Sequence, residues 1–102
     1  MPVLPYLSNT PFSRSLAMDV RIFRALIEAG AIKRVHIIAE ADFFRIEAVT
    51  QNGINQLNTL NGKLKTWSSL DATAKWLHGL GIGNCQVDMS RWQPEQRGLP
   101  LG

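Results

Sequence analysis

Two histidines, one cysteine and a run of spaced glycines are the residues whose chemistry would be most specific if their spacing allowed it. His36 and His78 lie on different predicted elements with no Cys or acid at ligand spacing, so no metal site is expected. Cys85 sits in an alternating apolar stretch with no histidine near it in sequence, which reads as a buried structural thiol of the last strand, not a nucleophile. Gly79-x-Gly81-x-Gly83 has the glycine content of a phosphate loop but follows a helix instead of preceding one, so no helix N-terminus is aimed at a ligand. Ser68 and Ser69 read as helix caps, and Glu40 with Asp42 as turn residues. No carboxylate pair, nucleophile with its base, or ligand cluster emerges. The expectation is a protein that is not an enzyme and has no catalytic residues, metal or cofactor.

The arginines are better placed. Arg outnumbers Lys by seven to four, which suits bidentate recognition of phosphate or carboxylate. On a helix, Arg14, Arg21 and Arg24 share one face with Ala17 and Glu28. With Arg34 and Arg45 they are the candidate contacts for nucleic acid or a protein partner. The competing reading of the helix stripe is a solvated face, because three charges and a net charge of +3 are modest for a nucleic-acid footprint. A second candidate surface is the outward side of the sheet, where His36, Ile38, Phe43 and Val49 would lie near Arg34 and Arg45. An ordinary solvated face does not require that mixture, so either a partner covers it or helices cover both sides of the sheet; homodimerisation through this face or its edge is the leading expectation. Trp92 follows the last strand and is expected to anchor a neighbour.

The elements that must position these residues follow from periodicity. Pro2, Pro5 and Pro11 make residues 1–12 an extended arm. Thr10 and Pro11 form a helix entry, and Leu16, Val20, Phe23 and Ile27, widened by Ile22 and Leu26, give a broad apolar stripe over Pro11 to Ala29. Gly30 closes that helix. From Lys33 the period falls to 2: Val35, Ile37 and Ala39 mark one strand, and Phe44, Ile46 and Ala48 its antiparallel partner across a turn at Glu40-Ala41-Asp42. Asn52-Gly53 and Asn61-Gly62 bracket a strand over Ile54 to Leu60 and predict a fourth over Lys63 to Trp67. Ser68-Ser69-Leu70-Asp71 opens a second helix with Ser68 as cap; Leu70, Thr73 or Leu80, Ala74 and Leu77 form its core face, Trp76 is a further core candidate, and Gly79 and Gly81 end it. Cys85, Val87 and Met89 alternate with Gln86 and Asp88 as a short last strand.

A length of 102 residues with 45% apolar and 19% charged residues allows one core and not two. No apolar run approaches the ~20 residues of a membrane span. No secretory signal is recognised, so a cytoplasmic chain without membrane association is expected. One cysteine allows no intramolecular disulfide. The expected architecture is α+β, an antiparallel sheet of four to five strands packed by two helices in the order α-β-β-β(β)-α-β. It comprises an arm at 1–12, one domain at 13–92 and a flexible tail at 93–102.

Two family likenesses attach to these residues. The α-β-β-β-α order resembles double-stranded RNA-binding domains, but the second helix opens Ser68-Ser69-Leu70-Asp71-Ala72 where those domains carry a Lys-rich cluster. The segment Lys63-x-Lys65-Thr66-Trp67-x-Ser69-Leu70-Asp71-Ala72-x-Ala74 resembles small ParC-like, partition-associated accessory proteins of bacterial plasmids and integrative elements. Leu77-x-x-Leu80-Gly81-Ile82, Val87-Asp88-Met89-Ser90-Arg91-Trp92 and Ile27-x-Ala29-Gly30-Ala31-Ile32-x-x-Val35 extend that likeness over residues 16 to 92. It implies a non-enzymatic accessory or adaptor role in plasmid partition or maintenance. The partners so implied are a second copy and a partition or replication protein, with direct nucleic-acid binding through the arginine-bearing helix face as the alternative.

Overall fold

The first helix begins later than its apolar stripe suggests, because Asp19 interrupts it. In the computed structural model, which describes residues 15–93, Ser15–Asp19 is a strand (β1) and Val20–Glu28 a helix (α1). Asp19 is extended and its carboxylate accepts the Ile22 N–H at 2.9 Å, satisfying one of the free donors of the first turn. Before it the backbone alternates, with Ala17 exposed and Met18 buried. The Leu16 to Val20 spacing fitted a helix equally well; the cap at Asp19 and the parallel pairing of β1 decide for strand. The expected entry at Thr10 and Pro11, the arm at 1–12 and the tail beyond Gln93 lie outside the described residues.

Both helices stop in the same way. Ala31 N–H donates to Leu26 O and Gly30 N–H to Ile27 O, with Gly30 at φ +73°. The second helix, α2 at Leu70–Gly79, repeats the pattern with Ile82 to Leu77, Gly81 to His78, and Gly81 at φ +95°. Each is a left-handed glycine cap that satisfies the last carbonyls. At its start the cap is Ser69, whose hydroxyl accepts Ala72 N–H at 3.1 Å, one residue later than the Ser68 expected.

The strands Arg34–Ala41 (β2), Phe43–Thr50 (β3) and Gly53–Asn58 (β4) form an antiparallel meander. Lys63–Trp67 does not add the expected fourth antiparallel strand; it makes only isolated bridges, Leu64 to Asn58 and Trp67 to Phe44. The reason is occupancy: β1 lies parallel along the other edge of β4, from Ser15 opposite Ile54 to Asp19 opposite Asn58. The last strand, Gln86–Trp92 (β5), pairs parallel with β2. The sheet order is β1-β4-β3-β2-β5, a five-stranded mixed sheet in an α+β fold.

This order dictates where the helices go. The crossovers β1-α1-β2 and β4-α2-β5 both join parallel strands and both run towards the β5 edge. Crossovers of one hand moving in one direction place their helices on the same side. Accordingly Phe23 of α1 stacks on Trp76 of α2 with centroids 6.0 Å apart, and Trp67 closes on Trp76 at 5.2 Å. Beneath them Val35, Ile37, Ala39, Phe44, Ile46, Ala48 and Leu57 form the buried face, as their alternation requires. Thr73 and Leu77 are the buried residues of α2, with Leu70, Trp76 and Leu80 half-buried; Ala74, expected inside, is exposed.

A further expectation fails at the β5 edge. Cys85 is exposed and precedes the strand, because β5 has no helix above it and buries nothing but part of Trp92. Trp92 turns inward onto Phe44, with ring centroids 4.6 Å apart, and so completes this molecule's own core.

Candidate functional site

The uncovered face of the sheet is assembled by register. Arg34 lies opposite Val49, His36 opposite Glu47, Ile38 opposite Arg45 and Glu40 opposite Phe43. Paired residues share a face, so the residues expected on the outward side stand together there. Val49 also faces Ile54, Glu47 faces Gln56, and on the far side His36 and Ile38 neighbour Gln86 and Asp88. Among the described residues no helix lies on this side.

At its centre Arg45 is 8% exposed. Its Nε donates to Glu40 Oε1 at 2.8 Å and its Nη1 to Glu47 Oε2 at 2.9 Å. Burial alone disfavours the charge; the hydrogen bonds to Glu40 and Glu47 and their negative charges outweigh it, so the guanidinium titrates above its ordinary value. Arg45 was a candidate contact for a partner; its fork is instead spent within the sheet. Glu40, read as a turn residue, and Glu47 are the members of this cluster that sequence reasoning missed. The signal was present in the strand register, which puts Glu40 diagonal to Arg45 and Glu47 two residues along the same face.

His36 is half-buried, and its Nε2 is buried without a hydrogen-bond partner among the described residues. Phe43 and Val49 are half-buried, Ile38 is buried and Ile54 is exposed. The face therefore combines apolar area at both ends with an ion-paired centre.

The other arginines do not converge on it. Arg21 and Arg24 are exposed on α1, which packs on the opposite side of the sheet, and Arg21 approaches Asp19 at 4.0 Å. Arg34 is exposed on the uncovered face, and Arg14 lies outside the described residues. The four of these arginines that lie among the described residues are thus split between two sides of the molecule.

Two clefts open at the end of the sheet where β2 begins. One, of about 430 Å³, lies between Ile22 and Leu26 of α1, Met18, and the β3–β4 hairpin at Thr50, Gln51 and Asn52. The other, of about 340 Å³, is lined by Lys33, Arg34, Val35, Asn84, Cys85 and Gln86. Neither contains a nucleophile with a base beside it. Among the described residues no three His, Cys, Asp or Glu side chains gather as metal ligands, and no helix is long and apolar enough to cross a membrane.

The outer strand carries a feature that sequence reading did not single out. Between Ile38 and Glu40 the β2–β5 register slips, so that Asp88 and Arg91, three residues apart, face partners two residues apart. This is a bulge at Met89-Ser90. Asp88 Oδ1 accepts from Ser90 N–H at 2.9 Å and Ser90 Oγ–H at 2.7 Å, which holds its carboxyl below the usual range. In comparisons with protein-family models, with curated proteins and with solved structures, the chain has no match.

Proposed function

We propose that this domain is a non-enzymatic accessory protein that acts by protein contact and self-association, with the sheet face opposite the helices as its docking surface. The observation that supports the reading is the composition of that face: Phe43, Val49 and Ile54 flank a centre whose charges, Arg45 with Glu40 and Glu47, already answer one another. A one-sided antiparallel sheet ordinarily turns a plainly polar face to water. The likeness to partition-associated proteins supplies the context, a cytoplasmic role beside a plasmid partition or replication protein. Direct nucleic-acid binding draws less from the geometry, since Arg45 is committed and Arg21 and Arg24 lie on the other side of the molecule from Arg34.

The test compares the wild-type chain with Phe43→Asp and Ile54→Asp, each immobilised and challenged with a bacterial extract. Both variants keep the wild-type circular dichroism spectrum and lose at least about ten-fold of the specifically retained partner, the effect of removing an interface anchor. Equal retention by all three proteins overturns the reading. So does salt-sensitive retardation of DNA that disappears in the Arg21→Glu/Arg24→Glu variant.

A further inference from the structure

The free edge of β5 is self-complementary. All of its residues except Trp92 are exposed, with Val87 at 42% and Met89 at 52%. Gln93 N–H donates to Ala41 O at 2.7 Å, so Gln93 points inward and Trp92 points its main chain outward. By alternation along β2, Ala41, Ala39 and Ile37 all turn towards β5. Ile37, opposite Val87, therefore bonds the residues that flank Val87, leaving the Val87 main chain outward as well. Val87 and Trp92 are two outward-pointing groups on either side of the Met89-Ser90 bulge.

The bulge also aligns the side chains. Asp88, opposite Ile38, and Arg91, opposite Glu40, both stand on the uncovered face. Val87, opposite Ile37, and Trp92, opposite Ala41, both stand on the helix side. Antiparallel pairing of two copies across a two-fold axis between Met89 and Ser90 sets Val87 against the partner copy's Trp92 and Asp88 against its Arg91. Every opposed pair shares a face, as an antiparallel ladder demands. Moving the register by one residue would oppose groups from different faces. Among the described residues Asp88 Oδ2 and the Arg91 guanidinium make no hydrogen bond or ion pair, although Arg91 and His36 of the same chain lie near enough to act on the Asp88 charge; across the two-fold axis two symmetric Asp–Arg pairs form, together with about four main-chain bonds.

We infer that the occupant of this edge is a second copy of the chain, joined β5 to β5 in that register into a continuous ten-stranded sheet. The inference rests on the self-association in the reading above and gives it a place and a register. Such edge addition is a standard route of strand recognition, and its two-fold form is closed, so it stops at the dimer.

Sedimentation equilibrium over a concentration series compares wild type, Asp88→Arg, Arg91→Asp and the double exchange. The wild type dimerises, each single variant places like charges opposite one another twice and weakens the dimer about 10- to 100-fold, and the double exchange restores it. Asp88→Arg alone and in combination lose the same hydrogen bonds to Ser90, so rescue reports the pairing and not the bulge. Single variants that weaken the dimer without rescue overturn the register. Four proteins that dimerise alike overturn the edge and leave self-association standing elsewhere. A wild type that stays monomeric throughout overturns both.

Discussion

The two faces of this sheet use the same three central strands and solve opposite problems. On the helix side, Ile37, Ile46 and Leu57 meet Phe23 and Leu77 with no exposed surface, and stability comes from apolar area and close packing. On the other side the residues one step along the same strands are Arg45, Glu47, His36 and Glu40, and the interior of that face is an ion cluster. The difference teaches where the fold resides. The helix side carries the apolar core, and the second face is held by charges that answer one another within the sheet.

That contrast can be broken from either side. The largest effect is expected for Phe23→Ala, which empties a fully buried site against Trp76 and costs about 3–5 kcal/mol in urea unfolding. Arg45→Ala leaves Glu40 and Glu47 facing each other without a cation. A fully buried pair broken in this way costs about 3–5 kcal/mol, but the Glu40 and Glu47 side chains are 37% and 20% exposed and water screens them, so about 1–3 kcal/mol is expected by the same measurement. A loss as large as that of Phe23→Ala would mean that the second face is core as well. The smallest effect belongs to the turn joining β2 and β3, where Ala41 holds φ +53°. A left-handed alanine is strained by about 1–2 kcal/mol. Ala41→Gly relieves it and gains about 0.5–1 kcal/mol after the added freedom of the unfolded chain, measured as a rise in melting temperature.

Much of this arrangement was legible in the sequence. The alternation of Val35, Ile37, Ala39 and of Phe44, Ile46, Ala48 identified the inward face, Gly30 and Gly81 marked both helix ends, and the outward set was placed together correctly. What escaped was decided by tertiary pairing. The span before Asp19 satisfies both helix and strand periods, and the Asp19 cap together with the parallel partner β4 settles it. Lys63–Trp67 has a strand's turn signal, yet its place beside β4 is already taken. Cys85 and Trp92 exchanged fates because nothing local states that the last strand is an edge: the thiol lies outside it, and the indole folds back on Phe44. The Arg45 cluster and the Asp88–Arg91 edge depend on strand register, which spacing within one segment does not reveal.

The proposed joint between two copies of the chain is the free edge of β5. Amide hydrogen exchange at low and high protein concentration tests it most directly, because Val87 and Trp92 carry outward main-chain groups that this sheet leaves unpaired. Pairing at this edge slows exchange at these two amides at least about ten-fold as concentration rises through the dimer transition, while the fully buried Ile37 and Ile46 stay equally protected throughout. Exchange at Val87 and Trp92 that is the same at every concentration would contradict it.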